Sequence, residues 1–291
     1  MKTIYFRIAF IAAFLSISAT SGAQVMNSLI RDMDPAAAGI AGASVAMKAD
    51  AYSLYNNSAA MSLYDGRMAF AGGYGILQPS SVKMGAISGA ALFKVGEKMA
   101  LGAGFERLGY ETYDITSAEG RSTAQFTPSE IAFSLGASYK IIEGLSAGAK
   151  LGYASISLSP DTKQGVFCGD IGLAYSAGQL SAGLNARNLG SKVMDVRAGA
   201  SYEIASVVTA YAQGEYLSGA GVMGALGAQY AFKDMLFARA GYHLGSASKA
   251  IPSYASLGLG AKFIGITFDA AFLLGSRSEM GTMLFSLGYS F

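Results

Sequence analysis

The chain closes on Gly281-Thr282-Met283-Leu284-Phe285-Ser286-Leu287-Gly288-Tyr289-Ser290-Phe291. Met283, Phe285, Leu287, Tyr289 and Phe291 occupy every second position, mostly with small or polar residues between them, which is the pattern of a β-strand with one apolar face. At the end of a soluble domain such a strand would leave an unpaired apolar edge that invites another chain. A closed barrel removes the edge, because the last strand pairs back onto the first.

Composition narrows the classes. Apolar residues make up 52% of the chain and charged residues 14%, with 38 glycines and 5 prolines, a mix too apolar for disorder and without the collagen period. Beyond the first 23 residues, no uninterrupted apolar run approaches the roughly 18 residues of a membrane-spanning helix. A β-rich soluble protein or a membrane barrel remains. The 21 basic and 19 acidic residues create no basic field, so no nucleic-acid partner is expected. One cysteine, Cys168, allows no internal disulfide, and with the one histidine, His243, it supplies no metal-ligand set. No cofactor is expected.

At the N-terminus, Lys2 and Arg7 precede an apolar core from Ile8 to Leu15, and Ser21-Gly22-Ala23 offers small residues for cleavage before Gln24. Residues 1–23 are predicted to be a signal peptide, so the chain is expected to be exported. From Gln24 to about Asp65 there is no sustained alternation. Asp34-Pro35 followed by a run of small residues predicts a short helix there, and residues 24–65 are expected to form a compact cap or plug.

From Gly66 onward alternation takes over in fourteen segments, at about 67–76, 82–94, 97–107, 129–140, 145–156, 165–176, 179–188, 194–204, 206–217, 220–232, 235–244, 253–263, 266–275 and 280–291. Most have the length of a tilted strand that crosses a bilayer. Connections at Val95-Gly96, Ile141 to Gly144, Ala177-Gly178, Lys233-Asp234 and Ile264-Gly265 are tight. Several on the opposite side are longer, above all Leu108 to Pro128, which carries Glu111, Asp114, Glu119 and Arg121. With the N-terminus in the periplasm, the longer loops are expected to face outside.

Charge supports a membrane barrel. With the richer apolar face outward, as in Met99, Leu101, Ala103 and Phe105, the charges Glu106, Lys150, Asp170, Arg187, Arg197, Glu203, Arg239, Lys262 and Asp269 fall on the other face and are predicted to line the lumen. Arg or Lys on the lipid side would cost about 2–4 kcal/mol at the midplane. Arg107 is the main exception, at a segment end. A soluble sandwich would instead place its charges outward. The prediction is an all-β antiparallel transmembrane barrel of about 14 strands, residues 66–291, surrounded by outer-membrane lipids, with a short N-terminal plug.

The inward face is mostly Gly, Ala and Ser. Eight strands already make a barrel that ordinary side chains just fill, so fourteen leave space for something else. The 24–65 segment is the predicted occupant, with Asp50, Asn56 and Asn57 meeting lumen charges. Tyr74, Tyr139, Tyr153, Tyr202, Tyr230 and Tyr242 sit near segment ends, as expected of interfacial girdles. Gly144-Leu145-Ser146-Ala147-Gly148 matches a nucleophile elbow in letters only, since the elbow needs a strand-to-helix turn and this stretch enters an alternating strand. No catalytic residue is predicted.

Two resemblances add to this reading. The last strand resembles the aromatic C-terminal signal of bacterial outer-membrane barrels. Gly42-Ala43-Ser44-Val45-Ala46, then Ala49-Asp50-Ala51-Tyr52-Ser53-Leu54-Tyr55-Asn56-Asn57-Ser58-Ala59-Ala60-Met61, resembles the N-terminal signature of the PorV/PorQ family, part of the FadL-like barrels. Asn57-Ser58 stand where Pro-Ala is usual. Gly183-Leu184-Asn185-Ala186-Arg187-Asn188-Leu189-Gly190 and the stretch from Gly227 to Tyr242 are similar to later strands of that family. The resemblance implies a non-enzymatic component or partner of protein secretion of the type IX kind found in Bacteroidota, or of another outer-membrane assembly. The alternative it implies is a FadL-like channel for hydrophobic small molecules. The secretion role is placed first, because such a channel is expected to line its lumen with larger apolar groups than the sequence offers, and the 108–128 loop is then the candidate partner surface.

Overall fold

The computed structural model describes residues 29, 32–77, 84–118, 120–246, 251–275 and 281–291. The predicted signal peptide, the first residues of the 24–65 segment and Glu119 lie outside the described residues.

The alternating segments form antiparallel strands in chain order. They are β1 (Met68–Leu77), β2 (Met84–Val95), β3 (Met99–Gly109), β4 (Tyr113–Thr116), β5 (Ser122–Phe126), β6 (Ser129–Ile142), β7 (Leu145–Ser159) and β8 (Thr162–Ala177), followed by β9 (Leu180–Leu189), β10 (Asp195–Ile204), β11 (Val208–Leu217) and β12 (Gly221–Phe232). The series ends with β13 (Leu236–Leu244), β14 (Tyr254–Phe263), β15 (Ile266–Gly275) and β16 (Met283–Ser290). Fourteen of them close into a barrel, each paired with its sequence neighbours except that β3 pairs directly with β6 and β16 closes onto β1. The predicted fourteen segments and these strands agree. The Leu108 to Pro128 excursion supplies the other two, β4 and β5, as a separate two-stranded sheet beyond the rim.

The terminal strand does what its pattern demands. β16 pairs with β1 from Ala69↔Ser290 to Ile76↔Met283, and the Arg67 and Met68 amides both donate to the Phe291 carbonyl at 2.8 Å. No edge is left on that seam. Phe70 and Phe291 lie 6.4 Å apart across it. At the short-turn end, Lys233-Asp234 and Ala205-Ser206 both take left-handed φ values, the backbone of turns whose twist matches the flanking strands.

Side-chain alternation divides the wall into two chemistries. Leu135 is 68% exposed, Leu259 67% and Val222 74%, side chains that a water-facing wall would bury, and they belong to a continuous apolar outer band. Tyr139, Tyr202, Tyr230 and Tyr289 ring that band toward the short turns, and Tyr74, Tyr216 and Tyr242 toward the longer loops. This is the outer surface of a lipid-embedded barrel.

The interior holds the N-terminal segment. Helix α1 (Pro35–Gly39) begins where the sequence predicts: Asp34 is its N-cap, its carboxylate accepts from the Ala36 amide at 2.8 Å, and Pro35 fills the first helical position. Helix α2 (Ser53–Asn56) and a 3₁₀ turn (Ser58–Leu63) follow. All five residues of α1 and all four of α2 are buried. α1 packs on β13, β14 and β15, and the 3₁₀ turn packs on β6, β7 and β8.

Candidate functional site

Small inward residues let backbone meet backbone. A Cβ on Gly183 of β9 would collide with the Val45 carbonyl, and one on Gly241 of β13 would stand 2.5 Å from the carbonyl carbon of Ile40. These glycines serve close approach, not turn conformation. Between them, inward polar side chains hold the main chain of the segment. Gln213 donates to the Gly42 carbonyl at 3.0 Å and accepts from the Val45 amide at 2.9 Å. Ser146, Ser201 and Ser256 donate to the carbonyls of Ala59, Ala46 and Gly39 at 2.6, 2.8 and 3.0 Å. Ser146, the second residue of β7, is therefore an anchor for the segment.

Six of the predicted lumen charges fall into ion-paired networks. In the first, Arg197 binds Asp195 at 2.8 Å and Glu215 at 3.3 Å, and it reaches Asp32 of the N-terminal segment at 3.2 Å. Arg187 contacts Asp32 at 3.4 Å and Asp195 at 3.6 Å. Burial opposes ionisation of Asp32, but the Arg197 and Arg187 guanidinium groups outweigh it and hold the carboxyl below the usual range. Lys150 binds Asp170 at 2.7 Å, and the other Asp170 oxygen accepts the Asn188 amide at 2.8 Å. That second contact patches a bulge between β8 and β9, where Asn188 has φ 56° and its side chain donates to the Leu29 carbonyl at 2.8 Å. In the second network, Arg239 binds Asp269 at 2.6 Å and donates to Gln229 at 2.7 Å.

The remaining sequence-predicted residues are placed differently from one another. Glu106 is buried and faces a cavity of about 20 Å³ shared with Asp32, Lys150 and Arg187. Lys262 and Glu203 are exposed, lining a much larger cavity of about 890 Å³ that opens at the short-turn end. Asn56 donates to Asp34 at 2.7 Å, and Asn57 donates to the carbonyls of Val45 and of Leu173 in the wall, at 3.1 and 3.0 Å. Asp50 accepts from Ser53 within the segment. Asn56, Asn57 and Asp50 thus organise the segment and its seat on main chain, whereas the carboxylate that meets lumen cations is Asp32. Asp32 sits in a stretch without periodicity, so no pattern marked it.

The lumen lining also departs from expectation. Toward the long-loop end the inward positions carry Leu77, Met84, Leu108, Leu273 and Leu284, packed with Met33 of the segment. On the opposite wall Ile156, Leu217 and Met223 pack with Leu29. Small inward residues prevail where the segment presses on the wall and around the large cavity at the short-turn end. Cys168 of β8 is buried in this apolar layer. His243, also inward, stacks on Tyr254 with ring centroids 4.9 Å apart.

Comparison of the sequence with protein-family models and with curated proteins finds no match. Solved structures do match. The Ralstonia pickettii toluene transporter TbuX superposes with a TM-score of 0.67 at 12% identity, covering 88% of this chain and 97% of that one. The CymD monoaromatic hydrocarbon channel gives 0.64 at 15% identity over 88% and 96%, and a Pseudomonas aeruginosa FadL homologue gives 0.62 at 12% over 90% and 99%. The chain has the FadL-like barrel fold.

Proposed function

We propose that this protein is a FadL-like channel of the bacterial outer membrane that admits hydrophobic small molecules, with residues 24–65 as its plug. The observation that carries the reading is the apolar inner wall of the long-loop half, Leu77, Met84, Leu108, Ile156, Leu217, Met223, Leu273 and Leu284, closed below by Leu29 and Met33. These side chains are buried and packed on one another, so an apolar solute entering from that side would part them and exchange apolar contacts without hydrogen-bond loss, above a layer of ion-paired side chains. The solved hydrocarbon transporters of like fold support the same direction. The long-loop end is then extracellular and the 890 Å³ cavity periplasmic.

The test is uptake of a radiolabelled monoaromatic hydrocarbon and of a long-chain fatty acid by cells expressing the protein, against empty vector. Uptake above vector that falls in Leu108→Asp supports the channel. Uptake equal to vector for both probes, with the barrel folded in the membrane, refutes it.

A second reading, the secretion or assembly partner implied by the PorV/PorQ resemblance, has one structural feature in its favour. The β4–β5 sheet stands beyond the rim with Asp114, Thr116, Thr123 and Gln125 exposed, braced where the Tyr113 hydroxyl donates to the Leu158 carbonyl at 2.8 Å. Stoichiometric co-purification of exported proteins, lost when this sheet is deleted, is what that reading requires.

A further inference from the structure

Charge is almost absent from the lipid-facing wall. Among the described residues, Arg107 of β3 and Lys163 of β8 are the two charged side chains at outward positions of the fourteen barrel strands. Both are exposed cations, and both stand near the long-loop end of one sector, β3-β6-β7-β8. Register places them on adjacent rows. Arg107 pairs with Ile131, Ile131 with Ser155 and Ser155 with Gly165; one row nearer the loops, Gly109 pairs with Ser129, Ser129 with Ser157 and Ser157 with Lys163. The cations are thus three strand spacings apart, about 14 Å, with the serine hydroxyls between them. Toward the midplane the next row is aromatic, Phe105, Phe133, Tyr153 and Phe167. The Arg107 guanidinium turns away from those rings, since a Cβ on Gly109 would lie 3.6 Å from its Nη1. Glu106 beside it points inward, Glu111 and Asp161 lie beyond the strand ends, and neither cation has an ion-pair partner among the described residues. Over the same sector stands the β4–β5 sheet, braced on Leu158 of β7 and exposing hydroxyl and amide groups.

We propose that this sector binds the headgroup of a phosphate-bearing glycolipid of the outer leaflet, with Arg107 and Lys163 on its phosphates, the three serines beside its sugars and the aromatic row under its acyl chains. The assignment rests on the long-loop end being extracellular. A cation on the lipid face costs least near the interface, and there it meets phosphate, to which its hydrogen bonds are charge-assisted. The Arg107 fork matches two phosphate oxygens, while Lys163 acts as a point charge. A zwitterionic headgroup brings no net charge to two unpaired cations and no sugar to the hydroxyls. A phosphorylated glycolipid brings both, and its several acyl chains need a broad apolar wall such as Phe133, Leu135, Leu151 and Phe167, all more than half exposed.

Native mass spectrometry of the full-length protein in mild detergent, titrated with purified lipid A, tests this. Enzymatically dephosphorylated lipid A and phosphatidylglycerol are the comparison lipids. The expected result is a single tightly bound lipid A, weakened about fivefold in Arg107→Ala or Lys163→Ala and roughly twentyfold in the double variant. Wild-type protein should bind the dephosphorylated lipid about as weakly as the double variant binds lipid A, and phosphatidylglycerol, which lacks the sugars, less tightly than lipid A. Lipid A binding that is unchanged in the double variant overturns the proposal. So does wild-type protein that holds the dephosphorylated lipid or phosphatidylglycerol as tightly as lipid A, a comparison that decides even if a variant fails to fold. The readout is lipid binding, so its outcome is separate from that of the uptake assay.

Discussion

Placing one methyl group on Gly183 tests the seat of the N-terminal segment directly. In Gly183→Ala the new Cβ falls onto the Val45 carbonyl, which must retreat by about 1 Å. That carbonyl accepts from Asn57 at 3.1 Å, the Val45 amide donates to Gln213 at 2.9 Å, and Ser201 holds the next carbonyl at 2.8 Å. Overpacking costs about 1–3 kcal/mol and each strained hydrogen bond about 1 kcal/mol. A net loss of about 3 kcal/mol at the seat is a rise of roughly a hundredfold in the opening equilibrium. The strand ladder is untouched, since the collision is with the segment. Exchange protection of residues 43–57 should drop by that factor while β9 and β10 keep theirs, and single-channel conductance in planar bilayers should appear or rise. Gly214→Ala is the control, because nothing lies within 4 Å of the Cβ it would add. Unchanged protection and conductance in Gly183→Ala would refute the close-packed seat.

Other outcomes follow from the same contacts. Arg197→Ala leaves Asp195 and Glu215 buried without their main partner, a loss of about 3–5 kcal/mol that should lower the temperature at which the barrel unfolds on heat-modified gels. Asp32→Asn should loosen residues 32–65 at neutral pH. Because the Asp32 carboxyl is held below its ordinary value when folded, its contribution is present above that value and lost as pH falls through the depressed one, so variant and wild type should converge in strong acid. Leu135→Arg puts a cation on the lipid face, where about 2–4 kcal/mol of destabilisation should appear in folding titrations into vesicles. Deleting residues 112–127 should leave barrel stability and hydrocarbon uptake unchanged if the channel reading holds.

Much of the architecture was legible because a barrel strand obeys one local rule. Leu135, Leu151 and Tyr139 alternate with Ser134, Lys150 and Ser138, and a period of two assigns each to a face without knowledge of its partners. The same rule placed Arg197 and Arg239 inside. Pairing order followed as well, since tight turns such as Lys233-Asp234 leave only antiparallel neighbours. The segment before the barrel was different. Asp34-Pro35 announced a helix start, which is a local event, but nothing in the spacing of Asp32 linked it to Arg187 and Arg197, more than 150 residues away.

The lining of the lumen marks the same division. That the inward residues are small on average is a property of composition, and the sequence alone determined it, along with strand number, closure and the two faces. Which inward residues lie at which height was decided only when strand tilt and register placed Leu77, Leu108, Leu273 and Leu284 beside Met33 at one end and Gly183 and Gly241 beside the segment in the middle. Faces are set by a dihedral repeat within each strand. Heights and partners are set by closure, which brings together residues that no local repeat relates.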